Sequence, residues 1–167
     1  LSICDDLGWH GQTSLISNFP SQRLITAVDR DSLATPKDAK LVVATGRFVA
    51  SKGFDTLVRA IACTPDLWLW MVGDGEERPQ LENLITQLGV ADRVRLPGWV
   101  SSPQDYVAAA DIYCMPSRKE PLGNVLLEGW QTGVPVVTTR SEGPDWAAND
   151  EKDVLMVEIC LTSAPMG

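Results

Sequence analysis

From Leu41 onward the chain alternates short apolar runs with stretches whose apolar residues recur every three or four positions, and this alternation continues to about Val157. LVVATG, from Leu41 to Gly46, reads as a first strand closed by a glycine. Phe54, Leu57, Val58 and Ile61 then fall at i, i+3, i+4 and i+7, the apolar stripe of an amphipathic helix. LWLWMVG, from Leu67 to Gly73, is apolar without alternation, as a central parallel strand covered on both faces must be. Leu81, Leu84, Ile85 and Leu88 repeat the helical spacing, and Gly89 supplies a stop. Val94 to Leu96 forms a short strand, with a helix expected over Gln104 to Ala110. Asp111 to Pro116 is the next strand, leading to a helix from about Gly123 to Thr132. Val134 to Thr139 follows, with Pro135 near its start where a missing donor is tolerated, and Val154 to Val157 is a last strand. Strands and helices in this order predict an α/β domain on a doubly wound, Rossmann-like parallel sheet.

The expected domain spans residues 41–157. Residues 1–40 do not follow the pattern: TSLISNFP suggests an isolated strand, and the polar stretch after Pro20 reads as a linker from a preceding domain. Residues 158–167 read as an irregular tail. The first residue is not Met, which suggests a chain cut from something longer. Gly129 falls inside a predicted helix, where Ala would be about 1 kcal/mol better, and close packing is one explanation.

Composition narrows the partners. The formal net charge of −8 argues against nucleic acid or an anionic membrane surface, both of which demand a dense Lys/Arg field. An anionic small ligand remains compatible, because exposed charges beyond roughly 8–10 Å are screened. No apolar run approaches the ~18 residues of a bilayer span, and the N-terminus lacks the basic start of a secretory signal. Cys4, Cys63, Cys114 and Cys160 stand at no metal-knuckle or redox spacing, which fits a reduced, cytoplasmic protein.

Ligands of such sheets bind beyond the carboxyl ends of the strands. Arg47 and Lys52, on the loop after the first strand, suit a diphosphate, Arg by a bidentate fork and Lys as a point charge; taken alone they read equally as surface cations. Glu120-Pro121-Leu122-Gly123-Asn124 leads into a helix carrying Glu128. The amides of Gly123 and Asn124, with the positive end of the helix, would face phosphates. Glu120 can accept from sugar hydroxyls, and Glu128 can reach a ribose diol; the plainer reading is an acidic first turn and a solvent-facing Glu. Asp74-Gly75 gives a turn after the second strand that need do no more than reverse the chain. Neither a GxGxxG nor a GxxxxGK[ST] pattern occurs, against dehydrogenase and NTPase readings.

GRFVASKGFDTLVRA, VGDGEERPQLENL, VRLPGWV and PSRKEPLGNVLLEGWQTGVPVV with RSEGP together resemble the C-terminal domain of family 4 glycosyltransferases, over about Leu41 to Met156 and in family order. The resemblance implies one half of a GT-B fold, the half that binds a nucleoside-diphosphate sugar such as a GDP- or UDP-hexose. The flavour is that of bacterial lipopolysaccharide-core or similar cell-surface glycan transferases. It further implies that Arg47 and Lys52 bind the donor diphosphate and that Glu120 contacts the transferred sugar. Leu122, Gly123 and Asn124 would lie under sugar and phosphates, Glu128 would hold the ribose, and Gly98, Trp99 and Val100 would lie near the base. No essential metal or cofactor is implied, since the cations and the helix start neutralise the leaving diphosphate. The implied partner is an N-terminal acceptor-binding domain absent from these residues, through which any contact with the inner face of the membrane would run.

His10, the one histidine, precedes the sheet and is an improbable catalyst. The tail departs from the family's usual continuation. Three rivals stand beside this reading. Asp29-Arg30-Asp31 mimics the metal-binding DxD of the GT-A fold, but too little chain precedes it, and it reads as a solvated stretch. A non-catalytic sugar-nucleotide binding or regulatory module fits the same motifs. A sugar-phosphate epimerase of the same shape should have acid–base carboxylates and histidines in its cleft, and His is nearly absent here.

Overall fold

The computed structural model describes residues 24–120, 124–141, 144, 145, 148 and 152–158. TSLISNFP, His10 and residues 159–167 of the tail lie outside them. Six strands, β1 (Lys40–Thr45), β2 (Leu67–Val72), β3 (Val94–Gly98), β4 (Ile112–Met115), β5 (Val136–Thr139) and β6 (Leu155–Val157), form one sheet in the order β3-β2-β1-β4-β5-β6. Every pairing is parallel. The chain winds outward from β1 to β3, then returns past β1 to β4 and winds the other way. The switch point, where such sheets open a crevice, therefore lies between β1 and β4.

Helices α1 (Phe54–Ala62), α2 (Arg78–Gln87), α3 (Pro103–Val107) and α4 (Asn124–Thr132) cover the sheet. The strand period of two divides each apolar run between two cores. Val42, Ala44, Leu69 and Met71 pack under α1 and α2 against Phe54, Val58, Ile61, Leu81 and Ile85. Leu41, Val43, Trp70 and Val72 face the other way, with Val107, Tyr113 and Leu126. This two-sided burial is why LVVA and LWLW show no alternation.

Three local features differ from the sequence reading. First, α3 ends at Val107 rather than Ala110. Arg30 takes the Ala109 carbonyl from Nε and Nη2 at 3.0 and 2.7 Å, and Ala109 and Ala110 close tighter turns onto Tyr106 and Val107. Second, β3 runs on to Gly98. Third, the polar stretch before β1 lies on the sheet. Thr35 accepts from the buried Trp70 indole at 2.8 Å, Arg95 donates to the Leu33 carbonyl at 2.7 Å, and Val28 N donates to Asp105 O at 3.0 Å. Within Asp29-Arg30-Asp31 the guanidinium is thus held by backbone carbonyls and by Asp111 Oδ2 at 3.2 Å, while Asp31 pairs with Lys37 at 3.0 Å. Gly129 has its reason as well. A Cβ there would stand 2.6 Å from Tyr113 Cδ1 and 3.0 Å from Val136 Cγ2, so its absence lets α4 settle onto β4 and β5.

Candidate donor cleft

The loops after β1, β2 and β3 are laced side by side at the carboxyl edge. Gly46 N donates to Val72 O at 3.0 Å, Gly73 N to Gly98 O at 2.9 Å, and Phe48 N to Asp74 O at 2.9 Å. Glu77 N returns to Phe48 O at 3.0 Å. Together they wall a cleft of about 440 Å³. Thr45, Gly46, Arg47, Val72, Gly73 and Asp74 form one side, Trp99, Val100 and Pro103 another, and Glu128 reaches in from α4. That volume lies in the range of small-molecule sites.

Among the described residues, the side chains of Arg47 and Glu128 have no hydrogen-bond or ion-pair partner. Burial raises the Glu128 carboxyl above its ordinary value. Trp99 is 77% exposed, an isolated large apolar side chain at the rim. Beneath the cleft, Thr45 Oγ1 and the fully buried Tyr113 hydroxyl lie 2.6 Å apart. Burial above all keeps that phenol protonated, the Thr45 bond opposes this, and the charges of Glu128 and Glu120 add to it.

Lys52 and Glu120 form a second group beside the cleft. Lys52 ends a 3-10 turn, Ala50–Lys52, and its ammonium pairs with the buried Glu120 carboxylate. Ser117 Oγ donates to the same carboxylate at 3.4 Å. The stem of Lys52 runs beside Gly46, its Cδ 4.0 Å from where a Cβ on Gly46 would stand, so the pair adjoins the cleft floor. The post-β4 loop is drawn to the post-β1 loop by backbone: Arg118 N and Lys119 N both donate to Ser51 O, at 2.8 and 3.2 Å. Gly53 permits this. Its φ is +65°, and a Cβ there would overlap the Pro116 carbonyl oxygen.

The structure thus brings Arg47, Trp99, Val100 and Glu128 into one cleft, and joins Lys52 to Glu120 next to it. Gly98 does not line the cleft; its carbonyl anchors Gly73. Asn124 is the first residue of α4, while Leu122 and Gly123 lie outside the described residues. Asp74, read as part of a chain reversal, is also a wall residue. Thr45 and Pro103 went unremarked, although Thr45 ends a strand at the edge where ligands bind. Cys63 and Cys114 are free thiols, and burial pushes that of Cys114 up to about 12. No helix among the described residues is long and apolar enough to cross a membrane.

An all-parallel sheet with its crevice at the switch point, walled by an arginine and a half-buried glutamate, defines a Rossmann-like domain with a cleft of small-molecule size. Residues 26–160 match the family model "Glycosyl transferases group 1", and the chain belongs to that family. It is 51% identical over 154 residues to the lipopolysaccharide core biosynthesis glycosyltransferase LpsE of Rhizobium meliloti (strain 1021), covering 92% of this chain and 45% of the relative. The chain therefore spans about half the length of that relative. Among solved structures, the sucrose-phosphate synthase of Thermosynechococcus elongatus superposes with a TM-score of 0.78 at 32% identity, over 89% of this chain and 40% of the other. Anabaena Alr3699/HepE, solved with UDP and glucose, gives a TM-score of 0.71 at 27% identity, over 77% and 37%.

Proposed function

We propose that this chain is the donor-binding part of a retaining glycosyltransferase that moves a hexose from a nucleoside diphosphate to a hydroxyl of a glycan or lipid-linked acceptor. The observation that carries the reading is the meeting, at one switch-point cleft, of a guanidinium and a carboxylate that have no partner among the described residues, with the Lys52–Glu120 pair on the adjoining floor. The related HepE has been solved with UDP-glucose, which favours a uridine donor here.

In this reading Glu128 accepts from the ribose hydroxyls and Trp99 and Val100 border the base. Arg47 and Lys52 stabilise the departing diphosphate, with the start of α4 behind it and no essential metal. Glu120 orients the sugar. The acceptor oxygen attacks the anomeric carbon from the face that the diphosphate leaves. The bond from that carbon to the phosphate oxygen breaks as the new one forms, and the acceptor proton passes to the departing phosphate. The acceptor and its binding domain lie beyond this chain, and closure between the two would exclude water.

Titration calorimetry of UDP, GDP and ADP, then UDP-glucose, into this chain tests the proposal. Expected is binding of one diphosphate in the millimolar range or tighter, unchanged by a chelator and abolished by Arg47→Ala or Lys52→Ala. Absence of binding by all of them, or unaltered binding by both variants, overturns it. A binding-only regulatory module would be distinguished by transfer assays of the full-length protein. There Glu120→Ala would leave no turnover to lose.

A further inference from the structure

The Lys52–Glu120 pair sits on two irregular loops, and a third side chain holds them together. Arg118 reaches from the post-β4 loop back across the 3-10 turn. Its Nη1 donates to Ala50 O at 2.7 Å, and its Nη2 donates to Asp55 Oδ2 at 2.7 Å and to Thr56 Oγ1 at 2.9 Å. Its own amide donates to Ser51 O. Four tethers thus run from one residue to the segment 50–56, which contains Lys52, and Glu120 follows only two residues later. No other described side chain of the post-β4 loop bonds to that segment, apart from Glu120 itself through Lys52.

We propose that Arg118 is a positioning residue that sets the Lys52–Glu120 pair in place for the donor's sugar and diphosphate, with Asp55 as its anchor. The inference rests on the donor-site reading above. Its physical basis is geometric. Among the described residues, the loop after β4 has no ladder hydrogen bonds to hold Glu120, and misplacing a reacting group by about 1 Å can cost on the order of a hundredfold in rate. A planar fork can serve Ala50, Asp55 and Thr56 at once, where an ammonium offers a point charge and no fixed fork. Asp55 is suited to the role. Burial works against its charge, but the Arg118 hydrogen bond and charge outweigh this and hold its carboxyl below the ordinary value.

The test compares Arg118→Met and Arg118→Lys with wild type, and uses Lys119→Met as a control because Lys119 is exposed. Without ligand, the Arg118→Met protein should show the Glu120 side-chain carboxyl resonance shifted and the amides of residues 118 and 119 exchanging roughly tenfold faster, while the β1 and β2 amides keep their rates. With ligand, its affinity for UDP-glucose should fall roughly tenfold and that for UDP by less. Arg118→Lys should recover part of the loss, and Lys119→Met should behave as wild type. In a Lys52→Ala/Glu120→Gln background Arg118→Met should cost nothing more. An unmoved Glu120 resonance, or a lowered melting temperature with unchanged affinity, overturns the proposal. Wild-type protein that binds no nucleotide would sink the donor-site reading instead, and the ligand-free arm would still decide whether Arg118 places the pair.

Discussion

Lys52 and Glu120 are paired with each other, on loops stitched by Ser51, Gly53 and Arg118. A few ångströms away, Arg47, Trp99 and Glu128 line an open cleft without polar partners among the described residues. One region is satisfied mostly from within, Asp55 Oδ1 being a buried exception, and the other turns its charged side chains to the cleft. The difference separates architecture from recognition: the stitched region should govern stability, and the open one should govern binding at little cost to the fold.

The largest effect should come from Gly53→Ala. A side chain at φ +65° that also overlaps the Pro116 carbonyl should cost on the order of 3 kcal/mol, read by urea unfolding, because the obstacle is backbone and cannot step aside. A loss below about 1 kcal/mol would mean that the two loops are not locked as described. Gly129→Ala should come next. Crowding against the fully buried Tyr113 ring should cost roughly 1–3 kcal/mol, only partly offset by the ~1 kcal/mol gain in helix propensity. Thermal unfolding would check it, and a neutral result would show that α4 moves outward freely.

The open region should behave the other way. Glu128 carries a carboxyl raised by burial, so its folded-state value lies above its unfolded one. Folding then binds protons, and the ionised group opposes folding as pH rises through the folded value. Glu128→Gln should accordingly raise the melting temperature at pH 7, and the gain should vanish near pH 4, where both states of the wild type are protonated. The same variant should bind donor more weakly. A melting temperature that falls at pH 7 would mean that the carboxylate has a partner. The smallest stability effect is expected for Arg47→Ala, within about 0.5 kcal/mol, alongside loss of the nucleotide heat in calorimetry. Destabilisation without loss of binding would reverse the contrast between the two regions.

Much of this was legible in the residues. Unalternating apolar runs demand strands covered on both faces, so the parallel sheet followed from the apolar runs and the helical segments between them, and the carboxyl edge followed as the place for a ligand, while the switch point waited for the strand order. Arg47 and Glu128 were found because each follows or faces a strand end. Arg118 was missed although it sits inside PSRKEP, because nothing in a linear string distinguishes a guanidinium that ties two loops from one that faces water. The packed stretch before β1 was missed for the same reason: Arg30 and Thr35 look polar, and their partners Ala109 and Trp70 lie far along the chain.

The sequence by itself determined what is local or periodic: the strand and helix pattern, the sheet it implies, and the loops that must meet at its carboxyl edge. Tertiary structure alone decided which charges end up paired. Lys52 and Glu120 are 68 residues apart, and whether an ammonium meets a carboxylate or is left for a phosphate depends on where two loops settle in space. That placement is set by short backbone contacts at Gly53 and by one arginine's fork, which no spacing rule encodes.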